Sequence, residues 1–289
     1  MHTAKDIHIA PISAKDANAL VKRVHYSGKV VNNSQLHLGA FLDGRLEGAM
    51  QFGPSLDKRK IQGLVEGTLW NGFIELNRMA FSDRLPRNSE SRALGVAFRI
   101  MKKNYPHIEW IVSFADGTQC GDGTIYRAAG FVLTGLVESV NLVRRGDGVV
   151  IHKMTLESNP TKPRAELGGK TYFQITGGRY DLGAYVKATN GITVPGFQLR
   201  YIYFLNPKAC ERLTVPIIPF SRIDEMGAGM YRGEKRSKQA MDATSVTAMG
   251  QHQSDRSTHA DEAGDGPDQG HSDGATPIHP LQSKGTAHA

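Results

Sequence analysis

Apolar and polar residues alternate in short runs along the start of the chain, and these runs predict a strand, a helix and a hairpin. Residues 7–12 alternate as in a half-buried strand. Ser13 then precedes an amphipathic stretch, 14–26, of the kind that a capped helix requires. Alternation resumes over 36–53 on both sides of Asp43-Gly44, a pair that favours a tight hairpin turn.

A second series of elements follows a loop at 54–72 that is rich in glycine and lysine. The pattern predicts a strand over 73–81, a helix over 91–105, a largely apolar strand over 108–116 and a short helix over 124–130. Three strands in a row follow the first helix, which indicates a mixed α/β sheet rather than a doubly wound parallel one.

The second half of the chain is less regular. Apolar runs predict three further strands, at 131–143, 148–156 and 196–206. The region 157–195 between them is rich in glycine and polar residues, and its pattern supports only a short helix near 181–188. We therefore expect a single folded domain over 1–238 that includes this insertion.

Composition changes sharply after residue 238. The segment 239–289 has one Ile, one Leu, one Val and no aromatic residue, which predicts a disordered tail. It carries two Lys or Arg against seven Asp or Glu, a net charge of −5. Since the whole chain is +7, residues 1–238 carry +12. A charge of this size predicts a polyanionic partner, of which nucleic acid is the commonest.

The cellular compartment is predicted from the cysteine count, the apolar runs and the N-terminal residues. The two cysteines, Cys120 and Cys210, do not form the framework of a disulfide-rich secreted domain. The sequence contains neither an apolar run that would span a membrane nor an N-terminal signal peptide. We expect a cytoplasmic protein with no membrane partner.

The start of the helix predicted near residue 91 concentrates polar and basic side chains. Asn88, Ser89 and Ser91 are residues that commonly cap a helix by accepting its first N–H groups. Together with Arg87 and Arg92 they exceed what capping needs. A helix start with flanking guanidiniums instead suits a phosphate or pyrophosphate group.

Polar residues also interrupt the strand over 73–81. Glu75 and Asn77 are predicted to share one face, and Arg78 the other. They fit a half-exposed edge, a buried ion pair, or the lining of a cleft beside the anion site.

Asp116 stands where the next apolar strand ends, which fits either a turn-forming aspartate or a general base. Tyr126, on the helix that follows, fits either a packing residue or a general acid. His25, Tyr26 and Ser27 end the first helix. A histidine there interacts favourably with the helix dipole, and three adjacent functional side chains could also reach an acceptor or a metal.

Several strings together resemble the Mom family of bacteriophage DNA-modification proteins. They are HYSGKVVNNSQLHLGAFLDGRLEGAMQFG, ELNRMAF, PRNSESRALG, VSFAD and GTIYRAAGF, in this order, and the resemblance extends over about residues 20–220. The order of elements is similar to that of the GNAT acyltransferase fold. The expected fold is therefore a GNAT-like mixed, largely antiparallel sheet flanked by helices.

The resemblance implies an enzyme that converts adenine in double-stranded DNA to N6-carbamoylmethyladenine and so shields phage DNA from host restriction. It implies that Arg78 and Ser91 contact the donor. Asn88, Ser89 and Arg92 are expected to bind the donor because they belong to the anion site at the helix start. The resemblance further implies catalytic positions at Asp116 and Tyr126. For the pair His25 and Tyr26 it implies an active-site position, and for His25 a part in holding iron.

The sequence does not decide the chemical identity of the donor. GNAT enzymes bind coenzyme A through a glycine-containing loop, whereas Arg87-Asn-Ser-Glu-Ser-Arg92 has no glycine. A carbamoylmethyl group has the make-up of a glycine amide, so a glycine-derived or aminoacyl donor, including aminoacyl-tRNA, stands beside acetyl-CoA. Two other functions stay open: an ordinary acetyltransferase acting on an amine, and a non-catalytic phage DNA-binding protein.

Overall fold

The structure is a computed structural model that describes residues 2–117 and 121–228, together with the backbone of 230–231 and 234–235. Cys120 and the predicted tail, 239–289, lie outside the described residues. The disorder of that tail and the single domain over 1–238 stay predictions.

Short helices and strands alternate along the described chain. The helices are α1 (Ala14–Val24), α2 (Lys58–Gln62), α3 (Ser89–Asn104), α4 (Thr124–Ala128), α5 (Lys153–Glu157), α6 (Tyr172–Thr176), α7 (Leu182–Ala188) and α8 (Ser221–Glu225). The longer strands are β1 (His8–Pro11), β2 (Leu36–Leu42), β3 (Arg45–Gly53), β4 (Phe73–Phe81), β5 (Trp110–Asp116), β6 (Val132–Arg144), β7 (Val150–His152) and β8 (Ile192–Phe204). Two-residue strands β9 (Met230–Tyr231) and β10 (Glu234–Lys235) pair with each other.

The described chain divides into two compact units, of which the first comprises the residues up to Lys58 and Ile74–Asn104. Its strands follow the order β1-β2-β3-β4 and pair antiparallel throughout. The predicted hairpin is confirmed, because Asp43 and Gly44 both have the positive φ angles, 50° and 75°, that a tight turn of this kind requires. The Ser13 cap is confirmed as well, since its side chain accepts the N–H of Asp16.

The second unit comprises Arg59–Phe73 and the described residues from Tyr105 onward. Its strands follow the order β5-β8-β6-β7, again antiparallel. Trp110 is fully buried, stacks on Phe73 at 4.5 Å between ring centroids, and donates its indole N–H to Thr68 Oγ1 at 3.0 Å. A buried indole therefore has both an apolar contact and a hydrogen-bond partner.

The predicted fold class, a mixed and largely antiparallel sheet flanked by helices, is confirmed. Two local predictions are wrong. The segment 54–72 is not all loop, because it contains α2. The strand predicted over 148–156 ends at His152, whose ring nitrogen accepts the N–H of Met154 and starts α5.

The region 157–195, which the pattern leaves mostly unassigned, contains α6, α7 and the start of β8. These elements enclose a small core of their own, formed by Val143, Leu156, Leu167, Tyr172 and Tyr185. Leu156 of α5 is fully buried in this core. Among the described residues, no helix combines the length and the apolar character needed to cross a membrane.

Gly123 offers a test of packing in the second unit. It begins α4 with φ 74°, and an added Cβ would lie 2.5 Å from the ring of Tyr201. Gly148 also has a positive φ, 83°, but an added Cβ there would meet nothing within 4 Å. Both alanine substitutions introduce backbone strain, and only Gly123→Ala adds a clash. We expect Gly123→Ala to lower the free energy of unfolding by about 2 kcal/mol more than Gly148→Ala, measured by urea denaturation. Equal losses in the two variants would contradict the described packing.

Candidate active site

A bulge in β4 arranges the polar side chains of the first unit. Gln51 pairs with Arg78 and Phe52 pairs with Leu76, so Asn77 is an extra residue on β4. A bulge interrupts the alternation of side chains along a strand. The bulge separates Arg78 from Glu75 along β4, and the charge of Arg78 acts on the Glu75 carboxyl. The orientation of Arg78 away from Glu75 stays a prediction.

Gly53 allows the chain to approach the bulge closely. A Cβ added at Gly53 would lie 2.7 Å from both the carbonyl oxygen of Asn33 and the side-chain oxygen of Asn77. The Asn77 amide is fixed at both ends, because its oxygen accepts from Ser34 Oγ at 3.1 Å and its nitrogen donates to the Pro54 carbonyl at 3.4 Å. The loop before β2 and the loop after β3 are thereby joined to the bulge.

The pKa of the Glu75 carboxyl is shifted from its usual value. Burial raises its pKa, while hydrogen bonding from Ser55 and Asn77 and the charge of Arg78 lower it in part. Because burial dominates, the pKa of Glu75 lies above its usual value. A partly buried carboxyl with a raised pKa holds a proton more readily than an exposed one, which suits it to proton exchange.

Arg78 has a fixed orientation. Its Nε donates to the Lys29 carbonyl at 3.1 Å, and its Nη1 donates to the Asn77 carbonyl at 2.7 Å. The guanidinium therefore places a permanent positive charge that acts on two titratable groups, Glu75 and His25.

His25 follows α1 directly and is neutral at physiological pH. Burial, with the charge of Arg78 as a second cause, lowers its pKa to about 4. Its Nδ1 accepts the backbone N–H of Ser27 at 3.2 Å and lies 2.9 Å from the Ser27 hydroxyl. A nitrogen that accepts from a backbone N–H carries no proton, so the imidazole proton is on Nε2. Tyr26 packs beside it, with ring centroids 4.3 Å apart, and is 53% exposed.

These surroundings do not fit an iron ligand at His25. Coordination through Nε2 would require the proton to move to Nδ1, where the N–H of Ser27 already occupies the lone pair. The guanidinium of Arg78 also disfavours a nearby cation. Within residues 2–117 and 121–228, no group of three or more His, Cys, Asp or Glu side chains could hold a metal ion. We derive no step that involves iron.

The start of α3 differs from the capping prediction. The Ser89 hydroxyl donates to the Pro86 carbonyl at 2.6 Å, and the Ser91 hydroxyl donates to the Asn88 carbonyl at 3.2 Å. Neither serine accepts a first-turn N–H, and Asn88 has the left-handed φ of 68° that glycine usually adopts. The helix itself begins at Ser89, two residues earlier than predicted.

Two N–H groups remain available at this helix start. Those of Ser89 and Arg92 donate to the carbonyls of Pro86 and Asn88, whereas those of Glu90 and Ser91 find no acceptor within the described part of the chain. The side chains of Arg87 and Arg92 are exposed on either side. Free N–H groups and two guanidiniums fit an anionic group such as a phosphate.

Asp116 and Tyr126 belong to the second unit. Asp116 is the last residue of β5, is half-buried and pairs with Gln198 of β8. The Tyr126 ring packs between Tyr201 and Phe131, with centroids 5.2 and 5.3 Å away. Its packing role is thus established, and its role as a general acid stays a prediction.

A profile of the Mom protein family matches residues 6–222. The chain belongs to the Mom protein family. A curated relative, methylcarbamoylase mom of Escherichia phage Mu, is 35% identical over 217 residues, which cover 74% of this chain and 82% of the relative. The match to the family profile includes all the candidate residues named above, from His25 to Tyr126.

Solved structures of acetyltransferases are similar to this Mom family member. A Bacillus subtilis acetyltransferase in complex with CoA has a TM-score of 0.37 and 10% identity, covering 68% of this chain and 97% of its own. The ribosomal-protein-S18-alanine N-acetyltransferase of Escherichia coli has a TM-score of 0.34 and 11% identity, covering 69% and 94%. TM-scores this low carry no argument about the donor or the substrate.

In this Mom family member, sequence reasoning missed the residues that position Tyr126. Asp122 is buried and accepts from the N–H and hydroxyl of Thr124 and from the guanidinium of Arg127. The Tyr201 hydroxyl donates to the Asp122 carbonyl. The string Gly-Asp-Gly-Thr carries a usable signal, since aspartate two residues before a helix residue often bonds its N–H.

His25 can be examined directly by NMR. We expect its ring to titrate near pH 4, with the proton of the neutral form on Nε2, in long-range 1H–15N spectra. Removing a neighbouring positive charge makes protonation easier, so Arg78→Gln should raise the His25 midpoint. Arg99→Gln, on the exposed face of α3, serves as the matched control and should leave it unchanged. A wild-type midpoint near the usual histidine value, or an Nδ1–H form, would contradict this electrostatic arrangement.

Proposed function

We propose that this Mom family member transfers a carbamoylmethyl group to N6 of adenine in DNA and thereby protects phage DNA from restriction. The main support is the 35% identity over 217 residues to a protein named as a methylcarbamoylase, from Escherichia phage Mu. The relationship covers three quarters of this chain, including the candidate site. Cytoplasmic action in the infected host follows from the same proposal.

Charge independently supports double-stranded DNA as the substrate. Residues 1–238 carry +12, a field that attracts a polyanion and accelerates encounter. An acetyltransferase for a small amine has no need of such a charge. Adenine N6 is inaccessible in a stacked duplex, so the target base has to leave the helix.

The first unit supplies groups for the donor. The open N–H groups of Glu90 and Ser91 and the guanidiniums of Arg87 and Arg92 suit a phosphate, which both coenzyme A and aminoacyl-tRNA carry. Ser91, Asn88 and Ser89 shape the backbone of this helix start. The carbamoylmethyl group has the make-up of a glycine amide, which favours a glycine-derived donor over acetyl-CoA.

Around the bulge of β4, Arg78 supplies a fixed positive charge that can hold an oxygen of the donor. Neutral His25 offers its Nε2–H as a hydrogen-bond donor, and the exposed ring of Tyr26 offers a surface for a base. Glu75, with its raised pKa, can exchange a proton. Contacts within the first unit support each of these proposed roles.

Asp116 and Tyr126 take their roles from the family resemblance. Asp116 orients or deprotonates the N6 amine, and Tyr126 protonates the leaving group. Asp116 ends a strand, and the ring of Tyr126 is positioned by Tyr201 and Phe131. Both side chains are thus held by regular structure or packing.

The test is the mass of deoxyadenosine from DNA of cells that express the protein. We expect wild type to yield the carbamoylmethyl derivative. Arg78→Lys, Asp116→Asn and Tyr126→Phe should each lower its amount at least about tenfold. Arg78→Lys removes the guanidinium that two carbonyls hold in place, and the other two changes each remove a proton-transfer group. Arg99→Lys and Tyr180→Phe are matched controls at exposed positions and should retain wild-type levels.

Either of two results would indicate a different function. Tight binding of acetyl-CoA, acetylation of an amine and unmodified DNA would identify an ordinary acetyltransferase. Salt-dependent DNA binding without any modified base would identify a non-catalytic DNA-binding protein. Wild-type levels in both Asp116→Asn and Tyr126→Phe would leave the function standing and overturn their catalytic roles.

A further inference from the structure

The loop between β3 and α2 presents an unusual apolar side chain. Leu56 is 93% exposed, more than any other large apolar residue of the described chain. Single exposed leucines occur on many protein surfaces and need no function by themselves. The surroundings of Leu56 distinguish it from such cases.

The backbone on the N-terminal side of Leu56 is fixed. The Pro54 carbonyl accepts from the side-chain amides of Asn33 at 3.5 Å and Asn77 at 3.4 Å. Ser55 is only 5% exposed, and its side chain lies close enough to the Glu75 carboxyl to lower the pKa of that group. Because Pro54 and Ser55 are held against the first unit, the side chain of Leu56 lies on the surface.

The same contacts place Leu56 beside the candidate active site. Its neighbour Ser55 acts on the Glu75 carboxyl, and the Pro54 carbonyl is bound to the bulge residue that precedes Arg78. The chain continues from Leu56 through Asp57 into Lys58-Arg59-Lys60, three consecutive cations, of which Arg59 and Lys60 are exposed. An apolar tip next to the site is thus followed at once by groups that suit DNA phosphates.

An enzyme that extracts a base leaves a gap in the stack, and DNA-distorting proteins commonly insert an apolar side chain between bases. We propose that Leu56 is the residue that enters the DNA stack when the target adenine leaves it, with Lys58 of the same unit contacting a flanking phosphate. The inference rests on the proposed function and specifies how the protein handles its duplex substrate.

Base extraction can be measured without the donor. Permanganate oxidises unstacked thymines, so it reports the thymine opposite an extracted adenine in plasmid DNA incubated with purified full-length protein. We expect wild type to create reactive thymines and Leu56→Ala to reduce their reactivity about tenfold, because the gap in the stack is no longer filled. Leu56→Met keeps an apolar side chain of similar size and should restore most of the signal. Leu69→Ala, at a leucine that is 75% exposed in the second unit, is the matched control and should behave as wild type.

Two further readouts separate this role from a structural one. The thermal unfolding midpoint should be the same in wild type and Leu56→Ala, because the side chain is almost fully exposed. The salt dependence of plasmid binding should also be unchanged, because the cations remain.

Equal permanganate reactivity in wild type and Leu56→Ala would overturn the inference, and so would an equal loss in Leu69→Ala. Absence of any reactive thymine with wild-type protein would overturn it too, even where modified adenine is found. Absence of modified adenine in expressing cells would instead contradict the proposed function.

Discussion

The position of one positive charge determines much of the chemistry of the first unit. The Arg78 guanidinium is fixed by the carbonyls of Lys29 and Asn77, and its charge acts on both Glu75 and His25. It opposes the effect of burial on the carboxyl and adds to the effect of burial on the imidazole. The result is a neutral histidine and a carboxyl of raised pKa on either side of a permanent cation.

That charge is in place because β4 contains an extra residue. The bulge at Asn77 breaks the alternation of the strand, and the Asn77 amide joins the loop at Ser34 to the loop at Pro54. Gly53 makes the approach possible, since a side chain there would overlap Asn33 and Asn77. The same anchored loop carries Leu56 outward, so the arrangement of the charges and the presentation of the apolar tip share one structural cause.

Sequence patterns predicted the elements whose signals are local. The strand over 73–81 coincides with β4, and Asp43-Gly44 forms the predicted hairpin turn. The fold class followed from the order of such elements. Patterns failed where side-chain contacts decide: α5 replaces the end of a predicted strand at the point where the His152 ring caps a helix, and Leu156 packs into a local core. The capping prediction failed because the hydroxyls of Ser89 and Ser91 found carbonyl partners. The bulge depends on the register of the strands, and the tautomer of His25 depends on one backbone N–H. Neither can be read from a single sequence.

Because the charge of Arg78 acts on the Glu75 carboxyl, we propose that these two groups act together in the modification of adenine. The most direct measurement is a double-mutant cycle with Arg78→Met and Glu75→Gln, read as the amount of carbamoylmethyl-deoxyadenosine in DNA from expressing cells. If the two groups act together, the double variant loses about as much as the more damaging single variant, because the second change removes an interaction that is already lost. Losses that multiply independently, or wild-type levels in both single variants, would contradict it.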